Sequence, residues 1–238
     1  MSNNQRQVVF FRSLPQECGY LPRRETVNAV LDPEIMPDPA LYSRLVGLGF
    51  RRSGSRIYRP NCPGCSACRA LRVPVSAFRA DRSQRRTWRR HQHWTVEERA
   101  PEFHDEHYQL YRRYLGSRHP EGGMDDPGPE DYLSFLVCEG IDTRFVEFRE
   151  GGRCVAVAVT DVLVNGLSAV YTFYDPEIEG GPGVFAVLSQ IEMARRLNLE
   201  WLYLGYWIEE CRKMSYKIRY RPCELFVDGS WVGADRVI

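Results

Sequence analysis

The chain has 238 residues, enough for one large domain or two small ones around a substantial apolar core. Hydrophobic residues make up 43% and charged residues 26%, and no apolar run approaches the roughly 18 residues of a membrane-spanning helix. The first residues lack the pattern of a secretory signal, so we expect a cytoplasmic globular protein without a membrane partner. The formal net charge is only +1, but thirteen arginines fall between residues 51 and 99.

The first third of the chain predicts a small α+β region. Residues 41–50 have the pattern of a short helix, and residues 51–60 combine turn residues with a short strand. Residues 70–78 alternate like a strand, in which Pro74 favours the edge of a sheet because proline cannot donate to a neighbouring strand. The arginine-rich residues 81–93 fit either a loop or the start of a helix.

The following residues predict two helices and an antiparallel meander. Residues 103–115 and 131–138 have helical patterns and are joined by a flexible connection at 116–130. Gly-Gly at 151–152 and Asn-Gly at 165–166 are strong signals for tight hairpins. They separate three strand patterns, at residues 144–150, 154–164 and 167–175.

A glycine-rich loop at 177–183 comes next, followed by a helix at 184–198 and a buried strand at 201–207. This order of elements resembles the N-acetyltransferase-like fold, an α+β fold with a mixed, mainly antiparallel sheet. Proteins of that fold hold the pyrophosphate of coenzyme A at the glycine loop, where unpaired amides attract anions. The loop has no basic residue here and contains Glu177 and Glu179, which argues against coenzyme A.

Five stretches give a more specific resemblance. In chain order they are CGYL at 18–21, YRPNCPGCSACRALRV at 58–73, SQRR at 83–86, VYTFYDP at 170–176, and GYWIEECRKMSYKIRYRP at 205–222. Together they resemble the aminoacyl-tRNA–protein transferases of the N-end rule, in particular the bacterial enzymes that put leucine on N-terminal aspartate or glutamate. The resemblance covers residues 8–230. One departure is EGGPG at 179–183, where that family is expected to have a serine-leucine-glycine loop.

The resemblance implies a transferase that marks proteins for degradation. Its partners are leucyl-tRNA and protein N-termini that carry Asp or Glu, with no DNA and no membrane. It implies a smaller cysteine-bearing α+β domain at residues 1–100 and an N-acetyltransferase-like domain at residues 101–238. Arginine transfer to the same acceptors is the nearest alternative, and coenzyme A acetylation is a distant third. A zinc- or cluster-dependent RNA-binding regulator without activity is the alternative from another class.

The implied reaction is an aminolysis, in which a protein α-amine attacks the ester that links leucine to the terminal ribose of its tRNA. The ester is already activated, so the transfer requires no cofactor. The amine must lose a proton, because its pKa of about 7.7–8.0 leaves it mostly protonated near neutrality. Asp175 is the candidate base, and Tyr174 is the candidate donor to the oxyanion or the ribose oxygen. A turn at Asp175 and packing of Tyr174 are the structural alternative, and Asp161 is a weaker candidate base.

Recognition of an acidic N-terminal side chain requires fixed positive charge. The candidates for substrate binding are Arg144, Lys213, Tyr216, Lys217 and Arg219. Lys213 and Lys217 are the only two lysines of the chain, and four residues apart they either share one face of a helical turn or are distributed around an irregular loop. A pair of solvated charges is the alternative to function.

Residues 82–94 combine five arginines with two tryptophans, a composition suited to phosphates and unpaired bases. The candidates for contact with tRNA are Arg85, Arg86, Arg89 and Arg90. A solvated helix face is the alternative.

Four cysteines form the last candidate site, Cys18, Cys62, Cys65 and Cys68. Four thiolates suit zinc or an iron–sulfur cluster, although the bacterial ferredoxin spacing is absent because Arg72 stands where its fourth cysteine would fall. We expect this site to support the N-terminal domain, with or without a metal, and not to carry out the transfer.

Overall fold

The computed structural model describes residues 8–118 and 127–238; residues 1–7 and most of the predicted connection at 116–130 lie outside these ranges. The described helices are α1 (Pro39–Gly47), α2 (Arg82–His91), α3 (Asp105–Arg118), α4 (Pro129–Leu136), α5 (Pro182–Arg196) and α6 (Arg212–Ser215). The described strands are β1 (Phe10–Arg12), β2 (Gln16–Glu17), β3 (Glu25–Thr26), β4 (Asn28–Leu31), β5 (Arg51–Ser53), β6 (Arg56–Pro60), β7 (Arg69–Pro74), β8 (Thr95–Arg99), β9 (Thr143–Glu150), β10 (Arg153–Val162), β11 (Gly166–Tyr174), β12 (Trp201–Trp207), β13 (Glu224–Val227) and β14 (Ser230–Gly233). Two 3₁₀ turns lie at Tyr216–Arg219 and Ala234–Arg236.

The arginine-rich segment, for which the sequence leaves a choice between loop and helix, is the helix α2. Its start is fixed by a capping box, in which the Asp81 carboxylate accepts from the backbone N–H of Gln84 and the Gln84 side chain accepts from the backbone N–H of Asp81. The other predicted helices are also present, with their ends shifted by a few residues. α1, for example, starts at Pro39 because Asp38 caps it.

The large sheet has eight strands in the order β14-β13-β7-β12-β11-β10-β9-β8. β9, β10 and β11 form the predicted antiparallel meander. β12 runs parallel to β11, and the other neighbours are antiparallel. The sheet is therefore mixed and mainly antiparallel, and meander, glycine loop, α5 and β12 follow one another in the order of the N-acetyltransferase-like fold.

The edge position predicted from Pro74 is wrong, because β7 lies between β12 and β13. Pro74 is the last residue of β7 and lies opposite Trp201 of β12. β13 pairs only with Leu71 and Arg72, so its ladder has ended before the proline is reached. The missing N–H of Pro74 therefore interrupts no pairing with β13, and an interior strand tolerates it at its end.

A smaller sheet in the order β1-β4-β6-β5 packs with α1 around its own core. Tyr42, Leu45 and Ile57 belong to that core, which also includes Leu163 and Tyr203 from the second half of the chain. The first hundred residues also supply β7 and β8 to the large sheet. The predicted division at residue 100 stays a prediction, and the two regions share one sheet.

Helices cover both faces of the large sheet. Side chains alternate between the faces along each strand, so each strand contributes to a core on either side. On β10, Val155 and Ala158 face a core that contains Phe185 of α5. Val157 and Val159 point the other way, into a core formed with α3 and α4. None of the helices in the described ranges is long and apolar enough to cross a membrane.

The strands β11 and β12 separate partway along their length. They pair only between Gly166–Ser168 and Trp201–Tyr203. Ala169–Tyr174 and Leu204–Trp207 continue without pairing to each other, and we call the gap between these two segments the β11–β12 cleft. Gly166–Ser168 are buried, whereas Ala169–Thr172 are only half-buried, so β11 becomes accessible where it leaves β12.

Candidate active site

A β-bulge in β12 shapes one wall of the β11–β12 cleft. Its glycine, Gly205, has a φ of +70°, in the left-handed region that favours glycine, and the register with β7 shifts between Tyr203 and Tyr206. A Cβ placed on Gly205 would lie 3.6 Å from Nη1 of Arg51 and 3.8 Å from Nζ of Lys217. The bulge therefore brings the backbone of β12 close to two cationic side chains.

Lys217 is buried, with 8% of its surface exposed. Its Nζ donates to the carbonyl oxygen of Tyr206 at 2.9 Å and lies 3.7 Å from Sδ of Met214. Removal from water and then the charge of Arg51 lower the pKa of Lys217 to about 7, and Cys211 acts weakly in the opposite direction. Lys217 is therefore a buried amine that changes charge near neutral pH.

The other candidates of the same stretch are exposed. α6 ends at Ser215 and a 3₁₀ turn follows, so Lys213 and Lys217 do not share a helical face. The side chains of Lys213 and Arg219 are exposed, and Tyr216 is 45% exposed. Of the two arrangements predicted for Lys213 and Lys217, the structure therefore has the irregular distribution and not the shared helical face.

Tyr174 lies at the other wall, at the end of β11. Its ring packs edge-on against Tyr114 of α3 with the centroids 4.9 Å apart, and the guanidinium carbon of Arg118 lies 5.8 Å from its centroid. A Cβ on Gly183 would be 3.4 Å from the ring of Tyr174. Burial, and then Tyr174, raise the pKa of Tyr114 to about 12. A half-buried phenol thus lies beside the glycine loop, as predicted.

Asp175 lies next to Tyr174 but inside a turn. Only 2% of it is exposed. Oδ1 accepts from the backbone N–H of Glu177 at 3.1 Å, and Oδ2 accepts from Nη1 of Arg153 at 2.7 Å. Both carboxylate oxygens therefore accept hydrogen bonds, which agrees with the alternative that Asp175 forms a turn. A role for Asp175 as the base stays a prediction. Asp161 is buried on β10, where Arg52 and Tyr42 donate to its carboxylate.

Arg144 lies far along the meander from Tyr174. It pairs with Thr160 across β9 and β10, whereas Tyr174 pairs with Ala156. At about 3.3 Å per residue, the four-residue separation of those positions along β10 places the two side chains well apart. Nη1 of Arg144 binds Glu98 at 2.7 Å, and Nη2 binds Asp142 at 3.3 Å. The structure therefore separates Arg144 from Tyr174, and its ion pairs are with Glu98 and Asp142.

The four arginines predicted to contact tRNA share the exposed face of α2, at 85, 86, 89 and 90. This face borders the glycine loop, because a Cβ on Gly180 would collide with the side chain of Arg90. The loop itself has no basic residue, but α2 brings one against it. A cavity of about 440 Å³ also opens beside α2, between Arg85, Trp88 and Arg195.

The four predicted cysteine ligands line one cavity of about 240 Å³ and are free thiols. An amide of Ala67 and then Arg24, whose Nη1 lies 3.3 Å from Sγ of Cys65, lower the pKa of Cys65. Burial and the neighbouring thiolates raise the pKa of Cys68 to about 12. The structure thus brings residue 18 to the loop at 62–68, as expected.

The donor set suits a metal chemically, but the sulfurs are spread. Within the described ranges, no three of these four sulfurs lie within 4.8 Å of one another. Zinc–sulfur bonds of about 2.3 Å require a tighter group. A bound zinc ion would therefore need the four sulfurs to move closer together, and metal binding stays a prediction.

Sequence reasoning missed Arg51 and Arg118, which lie at the two walls of the cleft. Arg51 is one of thirteen arginines in its region, and nothing local distinguishes it. Gly205 did carry a signal, since an isolated glycine inside the strand pattern WLYLGYW indicates a bulge or a close approach. That signal marks the position where Arg51 and Lys217 meet.

Comparison with known protein families gives two matches that together span most of the chain. The family model described as "Arginine-tRNA-protein transferase, N terminus" matches residues 16–86. The model described as "Arginine-tRNA-protein transferase, C terminus" matches residues 106–227.

Solved structures support the fold alone. The C-terminal domain of a lysylphosphatidylglycerol synthetase from Agrobacterium fabrum superposes with a TM-score of 0.50 at 15% identity, covering 81% of this chain and 62% of that one. L-PGS from Bacillus licheniformis superposes with a TM-score of 0.51 at 16% identity, covering 70% of this chain and 58% of that one.

Curated relatives are similar over nearly the whole length. A protein of Nitrosococcus oceani named aspartate/glutamate leucyltransferase is 50% identical, covering 93% of this chain and 94% of its own. Relatives with the same name from Thiobacillus denitrificans (50% identical, 94% of each chain) and Hahella chejuensis (46% identical, 97% and 99%) agree. The chain therefore belongs to the arginine-tRNA-protein transferase family.

Proposed function

We propose that this protein transfers leucine from leucyl-tRNA to the α-amine of proteins that begin with Asp or Glu, and so marks them for degradation. The observation that carries the proposal is an identity between 46% and 50%, over nearly the whole chain, to relatives named aspartate/glutamate leucyltransferase. That name supports leucine over the alternative donor, arginine. The family description supports an aminoacyl-tRNA as the donor molecule, and a tRNA donor favours the cytoplasm as the location of the reaction.

The reaction forms one bond and breaks one. The neutral α-amine attacks the ester carbonyl carbon, the new amide bond forms, and the bond to the ribose oxygen breaks. The amine nitrogen loses a proton and the departing ribose oxygen gains one, so the tRNA leaves with a free hydroxyl. Positioning of the two substrates and stabilisation of the oxyanion supply most of the rate.

Tyr174 is the proposed donor to the ribose oxygen or the oxyanion. Its position at the end of β11, beside Gly183 and across the cleft from β12, supports this role. The hydrogen bonds of Asp175 hold the turn that follows, and so orient Tyr174. The cleft gives the ester and the amine a common, partly enclosed place to react.

The exposed face of α2 is the proposed contact for the acceptor arm of the tRNA. Arg85, Arg86, Arg89 and Arg90 are spaced along one side of the helix, where each can neutralise a phosphate. Arg90 lies against Gly180, and the loop leads through Gly183 to Tyr174. An acceptor arm along α2 would thus deliver its aminoacyl end to the cleft.

The cysteine cavity is proposed to support the N-terminal region. If Cys18, Cys62, Cys65 and Cys68 bind zinc or a cluster, the metal cross-links two chain segments and does not enter the transfer. The reacting groups of the proposed mechanism are all side chains and substrates, so the transfer is proposed to need no cofactor.

The decisive experiment offers tRNA charged with labelled leucine or labelled arginine to peptides that begin with Asp, Glu, Lys or Ala. We expect label from leucyl-tRNA on the Asp and Glu peptides and little on the other two. A preference for arginyl-tRNA would establish the alternative donor. RNA binding without label on any peptide would establish the non-catalytic regulator instead.

A further inference from the structure

Two cations meet at the bulge of β12. The position of a Cβ on Gly205 is 3.6 Å from Nη1 of Arg51 and 3.8 Å from Nζ of Lys217, so the two nitrogens are no farther apart than the sum of these distances. Among the described residues, no other heavy atom outside Gly205 and its two chain neighbours lies within 4 Å of that point. The space above Gly205 is therefore bounded by two positive groups.

Neither cation has an acidic partner in residues 8–118 and 127–238. Lys217 donates to a backbone oxygen and touches the sulfur of Met214. The guanidinium carbon of Arg51 lies 5.9 Å from the ring centroid of Tyr58 and 5.8 Å from that of Tyr206. When Lys217 is protonated, the described residues therefore hold two like charges together in a poorly hydrated place, which is unfavourable unless an anion joins them.

Arg51 and Lys217 come from distant parts of the chain. Arg51 lies on β5 of the small sheet, which packs against β11. Lys217 lies in the 3₁₀ turn after α6, which packs against β12. The two side chains thus meet beside the β11–β12 cleft only when both regions are folded together, as expected of a binding site at their junction.

We propose that Arg51 and Lys217, above Gly205, bind the side-chain carboxylate of the acceptor's N-terminal Asp or Glu. This inference rests on the proposed function and names the residues that give it its specificity. Two N–H···O bonds of about 2.7–3.2 Å, one to each carboxylate oxygen, reach across the gap between the cations. The amide of an Asn or Gln side chain offers one oxygen and no charge, so it binds less well.

Burial favours a carboxylate over a tRNA phosphate at this site. Lys217 is 8% exposed and Arg51 is half-buried, so the space admits a compact group more readily than a chain of nucleotides. The exposed arginines of α2 already offer a surface for phosphates. Burial and Arg51 lower the pKa of Lys217, and a bound anion would stabilise its charged form.

The test compares kcat/KM for Asp- and Asn-initiated peptides, at saturating leucyl-tRNA, in the full-length protein and in Arg51→Met and Lys217→Met variants. We expect each variant to lower the Asp/Asn ratio by about tenfold or more, because a bound carboxylate loses a buried partner. Activity on the Asn peptide should change little, which also shows that the variant is folded. Arg51→Lys should keep part of the ratio, and Arg44→Met, an exposed arginine on α1, should keep all of it.

An unchanged ratio in both variants would overturn the inference and leave the proposed function intact. An equal loss on both peptides, with weaker tRNA binding, would assign the two cations to tRNA and also overturn it. Peptide binding without tRNA, measured by fluorescence anisotropy, separates the two proposals. A protein that transfers no leucine, but binds the Asp peptide through Arg51 and Lys217, would refute only the proposed function.

Discussion

Arg52 and Asp161 form a two-bond ion pair that is closed to solvent. Nε and Nη2 of Arg52 donate to the two carboxylate oxygens of Asp161 at 2.7 Å each, and neither side chain is exposed. Thr143 and Tyr42 also donate to Asp161. Because Arg52 lies on β5 and Asp161 on β10, the pair joins the small sheet to the large one.

We expect Arg52→Met and Asp161→Asn each to lower the free energy of unfolding by about 3–5 kcal/mol, because each leaves a buried charge without its partner. Urea denaturation of the two variants measures the loss. The double variant should lose much less than the sum, since both charges are then absent. A loss below about 1 kcal/mol in either single variant, the range of exposed pairs, would contradict this prediction.

Lys217→Met should stabilise the free protein, by about 1–3 kcal/mol at pH 7, because a buried amine without an acidic partner among the described residues is replaced by an apolar side chain. Loss of the hydrogen bond to Tyr206 offsets part of the gain. Thermal unfolding measures the change, and Lys213→Met, at an exposed lysine, is the control.

The same variant should reveal a pH dependence. The pKa of Lys217 is about 7 in the folded protein, whereas the ordinary value for a solvated lysine is 10.5, so between these values the unfolded chain binds more protons. Wild-type stability therefore rises with pH across that window through this residue. The advantage of Lys217→Met should be largest at or below pH 7 and shrink toward pH 10.5. A constant difference would show that Lys217 does not titrate in this range.

Tyr174→Phe should lower kcat by roughly a hundredfold, within the range typical of a lost proton donor, and leave leucyl-tRNA binding unchanged. Asp175→Asn should lower kcat less than about tenfold, because its oxygen can still accept from Glu177 in the turn. Single-turnover kinetics with charged tRNA measures both. The reverse order of effects would make Asp175 the base and Tyr174 a packing residue.

Arg85→Ala with Arg86→Ala should weaken tRNA binding and reduce the slope of log K against log salt by about 1.4–1.8, the change for two phosphate contacts. Turnover at saturating tRNA should survive better than affinity. Arg44→Ala with Arg236→Ala removes two other exposed arginines and should leave the slope unchanged. Unchanged affinity with lost turnover would move the α2 arginines into the reaction itself.

If the cysteines bind metal, purified protein should contain about one zinc ion or one cluster per chain, by elemental and sulfide analysis. Cys65→Ser should abolish it, and Cys138→Ser, a buried cysteine outside the cavity, should not. Leucine transfer by Cys65→Ser at low temperature should persist. Anaerobically prepared protein with neither metal nor sulfide would leave the four as structural thiols.

Local signals in the sequence predict the local structure. Gly151 and Gly152 both have positive φ, at 57° and 85°, and they turn β9 into β10 as the Gly-Gly pair indicates. The helical stripe after the glycine loop likewise forms α5. Hairpins and amphipathic helices depend on neighbours in the chain, so their residues carry the information.

Pairing between distant segments leaves no such signal. Nothing in residues 70–78 indicates that β7 inserts between β12 and β13, and Pro74 suggests the opposite. The spacing of Lys213 and Lys217 allows two arrangements. The change from α-helix to 3₁₀ turn, which exposes Lys213 and buries Lys217, cannot be predicted from that spacing. Arg51 becomes visible only as the residue that meets Lys217 across Gly205.

The insertion of β7 between β12 and β13 has a consequence for how the chain reaches its native state. Both neighbours of β7 come from residues 201–227, which are synthesised long after β7. The backbone N–H and C=O groups of β7 therefore have no strand partner until the last part of the chain is synthesised. Such distant pairings slow folding and expose strand edges meanwhile. A cut at residue 100 would separate β7 and β8 from the other strands of the large sheet, so neither fragment would contain the complete sheet. Two separately produced fragments could therefore restore the fold only if β7 of the first inserts between β12 and β13 of the second.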